Sequence, residues 1–117
     1  MIVAIDFDGT LVEQAIYPQT KYKLKPYAEV VILRLAKIGI KFRLNTARTT
    51  WYRLPAIWFI KKNKLPIETF LFNQKVVADV YIDDRNLFCK EISWLKIEEE
   101  LLNMIKEGNH VHSSQKN

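Results

Sequence analysis

The first six residues, Met1-Ile-Val-Ala-Ile-Asp6, form a continuous apolar run that stops at an acid. A short run of this kind, rich in β-branched residues and without in-out alternation, suits a strand covered on both faces, and such strands belong to parallel sheets. The chain therefore opens on a central strand. Parallel neighbours need crossover connections, normally helical, and the rest of the sequence supplies them.

Pro26 precedes Tyr27 to Lys37, where Val30, Val31, Leu33, Leu35 and Ile38 can form a helical apolar face, and Gly39 is a natural helix stop. A second strand is predicted at Ile40 to Asn45. A helix follows at Ala56 to Asn63, with Pro55 in its first turn and Pro66 beyond its end. Third and fourth strands are predicted at about Ile67 to Phe72 and at Val76 to Ile82. The last helix runs from about Ser93, a plausible cap, to Lys106, with Trp94, Ile97, Leu101, Leu102, Met104 and Ile105 inward. This alternation is that of an α/β fold, a Rossmann-like parallel sheet flanked by helices.

At 117 residues the chain is expected to be one domain, residues 1–108, followed by a flexible polar tail at residues 109–117. With 49% hydrophobic and 26% charged residues, and only 3 Gly and 4 Pro, it has the composition of a packed globular protein. The single Cys89 excludes an intramolecular disulfide or a multi-thiolate zinc site. No apolar run approaches the roughly 18 residues of a membrane helix, and no basic leader precedes Ile2 to Ile5, so a cytoplasmic protein with no membrane partner is expected. The net charge of +5 is uneven: residues 21–75 carry thirteen bases against two acids, while the flanking segments are acidic. Such a middle suits an anionic partner, a phosphorylated small molecule or a nucleic-acid end, or else is solvated helix surface.

In an open α/β sheet ligands bind at the carboxyl ends of the strands. Asp6, Thr46, Lys75 and Asp83 each follow or flank a predicted strand at that end. Asp6 and Asp8 are two apart, Gly9 lets the chain turn away, and Asp83 and Asp84 bring the group to three or four carboxylates. Crowded carboxylates repel unless a cation neutralises them, and an all-oxygen set favours Mg²⁺. Mg²⁺ can hold a phosphoryl oxygen while a carboxylate attacks phosphorus, which is phosphoryl-transfer chemistry.

Asp6-Phe7-Asp8-Gly9-Thr10 resembles the first motif of the haloacid dehalogenase superfamily of phosphohydrolases, Asp-x-Asp-Gly-Thr after a first strand. Leu44-Asn45-Thr46-Ala47-Arg48 looks like its second motif, Lys75 like its third-motif Lys, and Tyr81-Ile82-Asp83-Asp84-Arg85-Asn86 like an acidic fourth motif. The resemblance spans residues 1 to about 88. It implies Asp6 as nucleophile and Mg²⁺ ligand, and Asp8 as general acid and base whose carbonyl also binds Mg²⁺. Thr46 would hold a phosphoryl oxygen, Lys75 would balance negative charge, and Arg48 would contact substrate phosphate or pair with an acid. Asp83 would complete the metal site, with Asp84 direct or through water. Two features depart from the pattern: Leu87 and Phe88 stand where many relatives have a further acid, and Lys75 is only eight residues ahead of Asp83, which keeps Lys64 as a weaker alternative.

The spacings of 40 residues from Asp6 to Thr46 and 29 from Thr46 to Lys75 are filled by core elements, so the chain looks capless, covered only by a flap at residues 11–24 or by a neighbouring subunit. The function expected is a Mg²⁺-dependent phosphatase. A receiver-like signalling domain or a non-catalytic phospho-binding protein is the alternative; receivers, however, place the acidic pair first and the Lys last, the reverse of the order here. Trp51, Tyr52, Trp58, Phe59 and Ile60 read as core, with a homo-oligomer interface through Trp51 to Ile60 as the functional alternative.

Overall fold

The computed structural model describes residues 1–13, 21–72, 74–83 and 92–116, with side chains to residue 108. Four strands, β1 (Ile2–Ile5), β2 (Lys41–Leu44), β3 (Ile67–Glu68) and β4 (Val80–Ile82), form a parallel sheet in the order β3-β2-β1-β4. Helices α1 (Ala28–Lys37), α2 (Thr50–Lys62) and α3 (Trp94–Lys116) flank it. The α/β class and the central place of β1 are those expected from the opening run. Val3, Ala4 and Ile5 are all buried, and because successive side chains point to opposite faces, both faces of β1 are covered. Among the described residues no helix is long and apolar enough to cross a membrane.

The edge strands are shorter than the sequence suggested, for an identifiable reason. Beyond Glu68 the carbonyls of Phe70 and Phe72 accept hydrogen bonds from the Arg53 side chain instead of a neighbouring strand. Before Val80, the Val77 carbonyl accepts from Arg43 and the Val76 carbonyl from the Tyr81 hydroxyl. Side-chain donors thus replace the ladder over both segments. Asp79 then closes the start of β1: its Oδ2 accepts the Ile2 N–H at 2.7 Å, and its own N–H donates to the Ile2 carbonyl at 2.8 Å.

Helix α2 starts at Thr50, well before Ala56, so Pro55 lies inside it and not in its first turn. An interior proline removes one helical hydrogen bond and crowds the preceding turn. In that turn the Tyr52 carbonyl accepts a bond from Arg48 Nη1 at 2.9 Å. The buried stripe of α1 is Ala28, Val31, Ile32 and Leu35, the i, i+3, i+4, i+7 spacing, which leaves Val30, Leu33 and Ile38 exposed. Likewise Trp94, Ile97 and Leu101 of α3 are buried while Leu102 and Met104 are exposed. Ser93 caps α3, its Oγ accepting the Lys96 N–H, and the helical backbone continues past Gly108 to Lys116 instead of ending near Lys106. A fork from Arg34 to both Glu98 carboxylate oxygens, 2.8 Å each, ties α1 to α3.

Both α1 and α2 end in the same Schellman geometry. Gly39 and Ile40 donate to the carbonyls of Ala36 and Leu35, and Lys64 and Leu65 donate to those of Lys61 and Ile60. The left-handed residue is Gly39 (φ 102°) in the first case and Lys64 (φ 54°) in the second.

Candidate active site

The register of the sheet sets the site. Ile5 of β1 is level with Leu44 of β2 and with Ile82 of β4, so one residue further on Asp6, Asn45 and Asp83 leave their strands side by side. Backbone bonds hold these exits together: Asn45 N–H donates to the Ile5 carbonyl at 2.8 Å and Asp6 N–H to the Ile82 carbonyl at 3.0 Å. The strand order reverses between β1 and β4, since the chain runs outward from β1 through β2 to β3 and then returns to the other side of β1. Crevices at such reversals are where α/β sheets take their ligands, and Asp6 and Asp83 flank this one.

After Asp6 the chain folds into a tight loop, with the N–H groups of Thr10, Leu11 and Val12 converging on the Phe7 carbonyl and Gly9 at φ 78°. That φ is one glycine adopts without steric cost. Phe7 turns into the core, and Trp94 Nε1 donates to the Thr10 carbonyl at 2.9 Å, so the start of α3 braces the loop. Asp6 Oδ1 accepts the Phe7 N–H at 2.8 Å. The stems of the flap pair antiparallel at Val12 and Leu24, and its residues 14–20 lie outside the described residues.

Asp8 is held by Arg48. Nη2 donates to Oδ1 at 2.7 Å and Nε to Oδ2 at 2.8 Å, the fork geometry that matches a carboxylate. Arg48 Nη1 also donates to the Tyr22 hydroxyl at 3.0 Å, and the guanidinium lies 5.0 Å from the Phe7 ring centroid and 5.3 Å from that of Tyr22. Phe7, Tyr22 and Phe59 meet edge to face, forming the apolar wall behind it. The hydrogen bond to Asp8 raises the Arg48 pKa above its ordinary value, with Tyr22 adding to the rise and burial opposing it. Of the two roles the sequence left open for Arg48, pairing with an acid is the one seen. The Arg48 backbone N–H donates to Thr46 Oγ1 at 3.2 Å, so the Thr46 hydroxyl and the Asp8 clasp belong to one loop.

Sequence reasoning missed Arg53. Its buried guanidinium donates to four carbonyls: Nε to Arg48 at 2.6 Å, Nη1 to Phe70 at 3.2 Å and to Phe72 at 3.0 Å, and Nη2 to Thr46 at 3.1 Å. It thereby ties the loop after β2 to the loop after β3. A signal was present: Arg53, Ala56 and Ile60 are spaced i, i+3, i+7 on the buried face of α2, a core stripe that a surface arginine has no reason to occupy.

Lys75 lies in the segment joining β3 to β4; it is exposed, and among the described residues it makes no ion pair. Lys64 lies at the opposite edge of the sheet, after α2 and before β3. Asp84 falls outside the described residues. Of the expected Mg²⁺ ligands, Asp6 and Asp83 stand together among the described residues, hard carboxylate oxygens on adjacent strand exits. The ion is commonly bound through one or two carboxylates, with waters and substrate phosphate completing its shell, so this pair fits it in kind. Asp8 is turned to Arg48, and among the described residues no three His, Cys, Asp or Glu side chains gather as a metal group.

The reading of Trp51, Tyr52 and Trp58 as core is overturned, since all three are exposed; Ile60 is buried and Phe59 partly so. Among the described residues no element covers these rings, and Lys62 lies 4.8 Å from the Trp58 ring centroid.

Among solved structures, that of a conserved protein from Bacteroides thetaiotaomicron matches with a TM-score of 0.71 and 30% sequence identity, over 92% of this chain and 91% of that one. No family model and no curated protein matches the chain.

Proposed function

We propose that this chain, which belongs to the same family as the conserved Bacteroides thetaiotaomicron protein, is a cytoplasmic, capless phosphohydrolase of haloacid dehalogenase type. It cleaves phosphate monoesters through an aspartyl-phosphate on Asp6. The observation that carries this reading is the level exit of Asp6 and Asp83 on either side of the sheet's reversal point, with Thr46 and the Asp8–Arg48 clasp on the loops beside them. The receiver-like alternative lacks a use for a second acid held in place two residues after the acceptor.

Asp6 and Asp83 would hold Mg²⁺, with the Asp8 carbonyl, and Asp84 as a further donor; when bound, the ion neutralises phosphoryl oxygens and so lowers the repulsion between two anions. An Asp6 carboxylate oxygen attacks phosphorus and the bond from phosphorus to the ester oxygen breaks; Asp8, which must first take a proton from solvent on one of the oxygens that Arg48 grips, delivers that proton to the departing alkoxide. Asp8 then takes a proton from water, whose oxygen attacks the phosphorus of the acyl phosphate, releasing inorganic phosphate and restoring the Asp6 carboxylate. The Thr46 hydroxyl, which accepts from the Arg48 N–H, still has its own proton to donate to a phosphoryl oxygen. Arg48, whose Nε and Nη2 bond Asp8 before substrate binds, would turn these N–H groups to the phosphate as it arrives and so release an Asp8 oxygen for protonation. Lys75 supplies further positive charge from the segment after β3.

The test is phosphate release from a panel of small phosphoesters, sugar phosphates, nucleotides and end-phosphorylated oligonucleotides, with and without Mg²⁺. Mg²⁺-dependent release that Asp6→Asn abolishes supports the reading. Release that survives Asp6→Asn, or none from a folded protein across the panel, overturns it.

A further inference from the structure

Three exposed aromatic residues lie on the segments that follow β2 and β3, both tied to the loop that carries Thr46 and Arg48. Trp51 (77% exposed) and Tyr52 (70%) occupy the first turn of α2, and Phe72 (68%) sits in the loop after β3. Both segments leave the carboxyl edge of the sheet, the edge of Asp6 and Asp83. They are fixed relative to the site, because Arg53 donates to the carbonyls of Thr46, Arg48 and Phe72 together, and the Tyr52 carbonyl accepts from Arg48. Large rings left in water beside a polar loop contribute nothing to the core, yet their faces are suited to stacking.

We infer that this rim stacks on the nucleobase of the substrate, so that the phosphoester taken by the site is a nucleotide, free or at the end of a strand; the inference rests on the hydrolase reading above and narrows its substrate class. The base lies on the Trp51–Tyr52–Phe72 rim while its phosphate enters between Asp6 and Arg48. Charge favours this occupant. Lys75, exposed and without an ion pair among the described residues, follows Phe72 by three positions, and a cation there attracts the phosphate of such a ligand.

Intrinsic tryptophan fluorescence of the full chain, titrated with adenosine monophosphate, a 5′-phosphorylated oligonucleotide, glycerol phosphate and a phosphotyrosine peptide, tests the inference, alongside phosphate release from each. The nucleotide probes are expected to quench with affinities above that of glycerol phosphate, and Trp51→Ala to remove the quench. Tyr52→Ala and Phe72→Ala are each expected to weaken nucleotide binding about tenfold, within the range of one lost stacking contact. KM for the nucleotide should rise with these changes by more than KM for glycerol phosphate. A stronger quench by the oligonucleotide than by the monophosphate assigns strand ends; the reverse assigns free nucleotides. Equal quenching by all four probes, preference for the phosphotyrosine peptide, or a dimer in sedimentation that Trp51→Ala dissociates overturns the inference. If glycerol phosphate is hydrolysed with Mg²⁺ while nucleotides are not preferred, the rim inference falls and the hydrolase reading stands. If no ester is hydrolysed yet Trp51-dependent quenching persists, nucleotide binding stands and hydrolysis falls.

Discussion

Arg48 grips Asp8 by both carboxylate oxygens, at 2.7 and 2.8 Å, while its third nitrogen reaches the Tyr22 hydroxyl and the Tyr52 carbonyl. One guanidinium thus joins the loop after β1, the flap stem and the first turn of α2. A lysine carries the same charge but presents a single point and no fork. Arg48→Lys is expected to lower kcat/KM for phosphate release by about ten- to a hundredfold, the worth of one or two charge-assisted bonds. An unchanged kcat/KM would show that the fork has no part in turnover.

Arg53 satisfies four carbonyls from a buried position. Arg53→Met fills similar space and leaves those acceptors without their donor, so it is expected to cost about 3 kcal/mol. The urea midpoint would fall accordingly. A loss below about 1 kcal/mol would mean that water or other donors take over and that the two loops do not depend on this tie.

The two Schellman ends offer a paired test. Lys64 holds a left-handed backbone with a side chain attached, whereas Gly39 holds one without. Lys64→Gly is expected to stabilise the chain by about 1 kcal/mol and Gly39→Ala to destabilise it by about 1 kcal/mol or more. No Cβ clash obscures the second change, since nothing lies within 4 Å of the added atom. Thermal unfolding of both variants checks the signs.

Thr10 Oγ1 is buried and has no hydrogen-bond partner among the described residues, although the Thr10 carbonyl accepts from Trp94. Thr10→Val removes the desolvated hydroxyl and keeps the shape, and is expected to be neutral or stabilising by about 1 kcal/mol. A destabilisation of similar size in chemical denaturation would reveal a partner for that hydroxyl.

The centre of this fold was readable because its signal is local. An unbroken apolar run rich in β-branched residues and stopping at Asp6 suits a doubly covered strand, and the same run places Asp6 at the ligand edge. The strand-end positions of Thr46 and Asp83 followed in the same way. What escaped was decided by side chains reaching across the sheet. Arg53 and Tyr81 draw carbonyls out of the edge ladders and cut β3 and β4 short. Helix α2 begins at Thr50, so a proline that looked like a helix start sits within one. The fate of Asp8 was equally non-local, for its partner stands forty positions away in the chain. Hydropathy marks Trp51, Tyr52 and Trp58 as apolar, but whether another element packs on that side of α2 decides their burial, and among the described residues none does.

The brevity of the edge strands has a consequence for how the protein behaves at concentration. Strands of two and three residues, β3 and β4, offer an incoming chain too few unpaired backbone groups to template another strand. A chain with large aromatic rings at its surface can therefore stay dispersed, because the contact that would convert loose clustering into a fibre has too little edge to grow from.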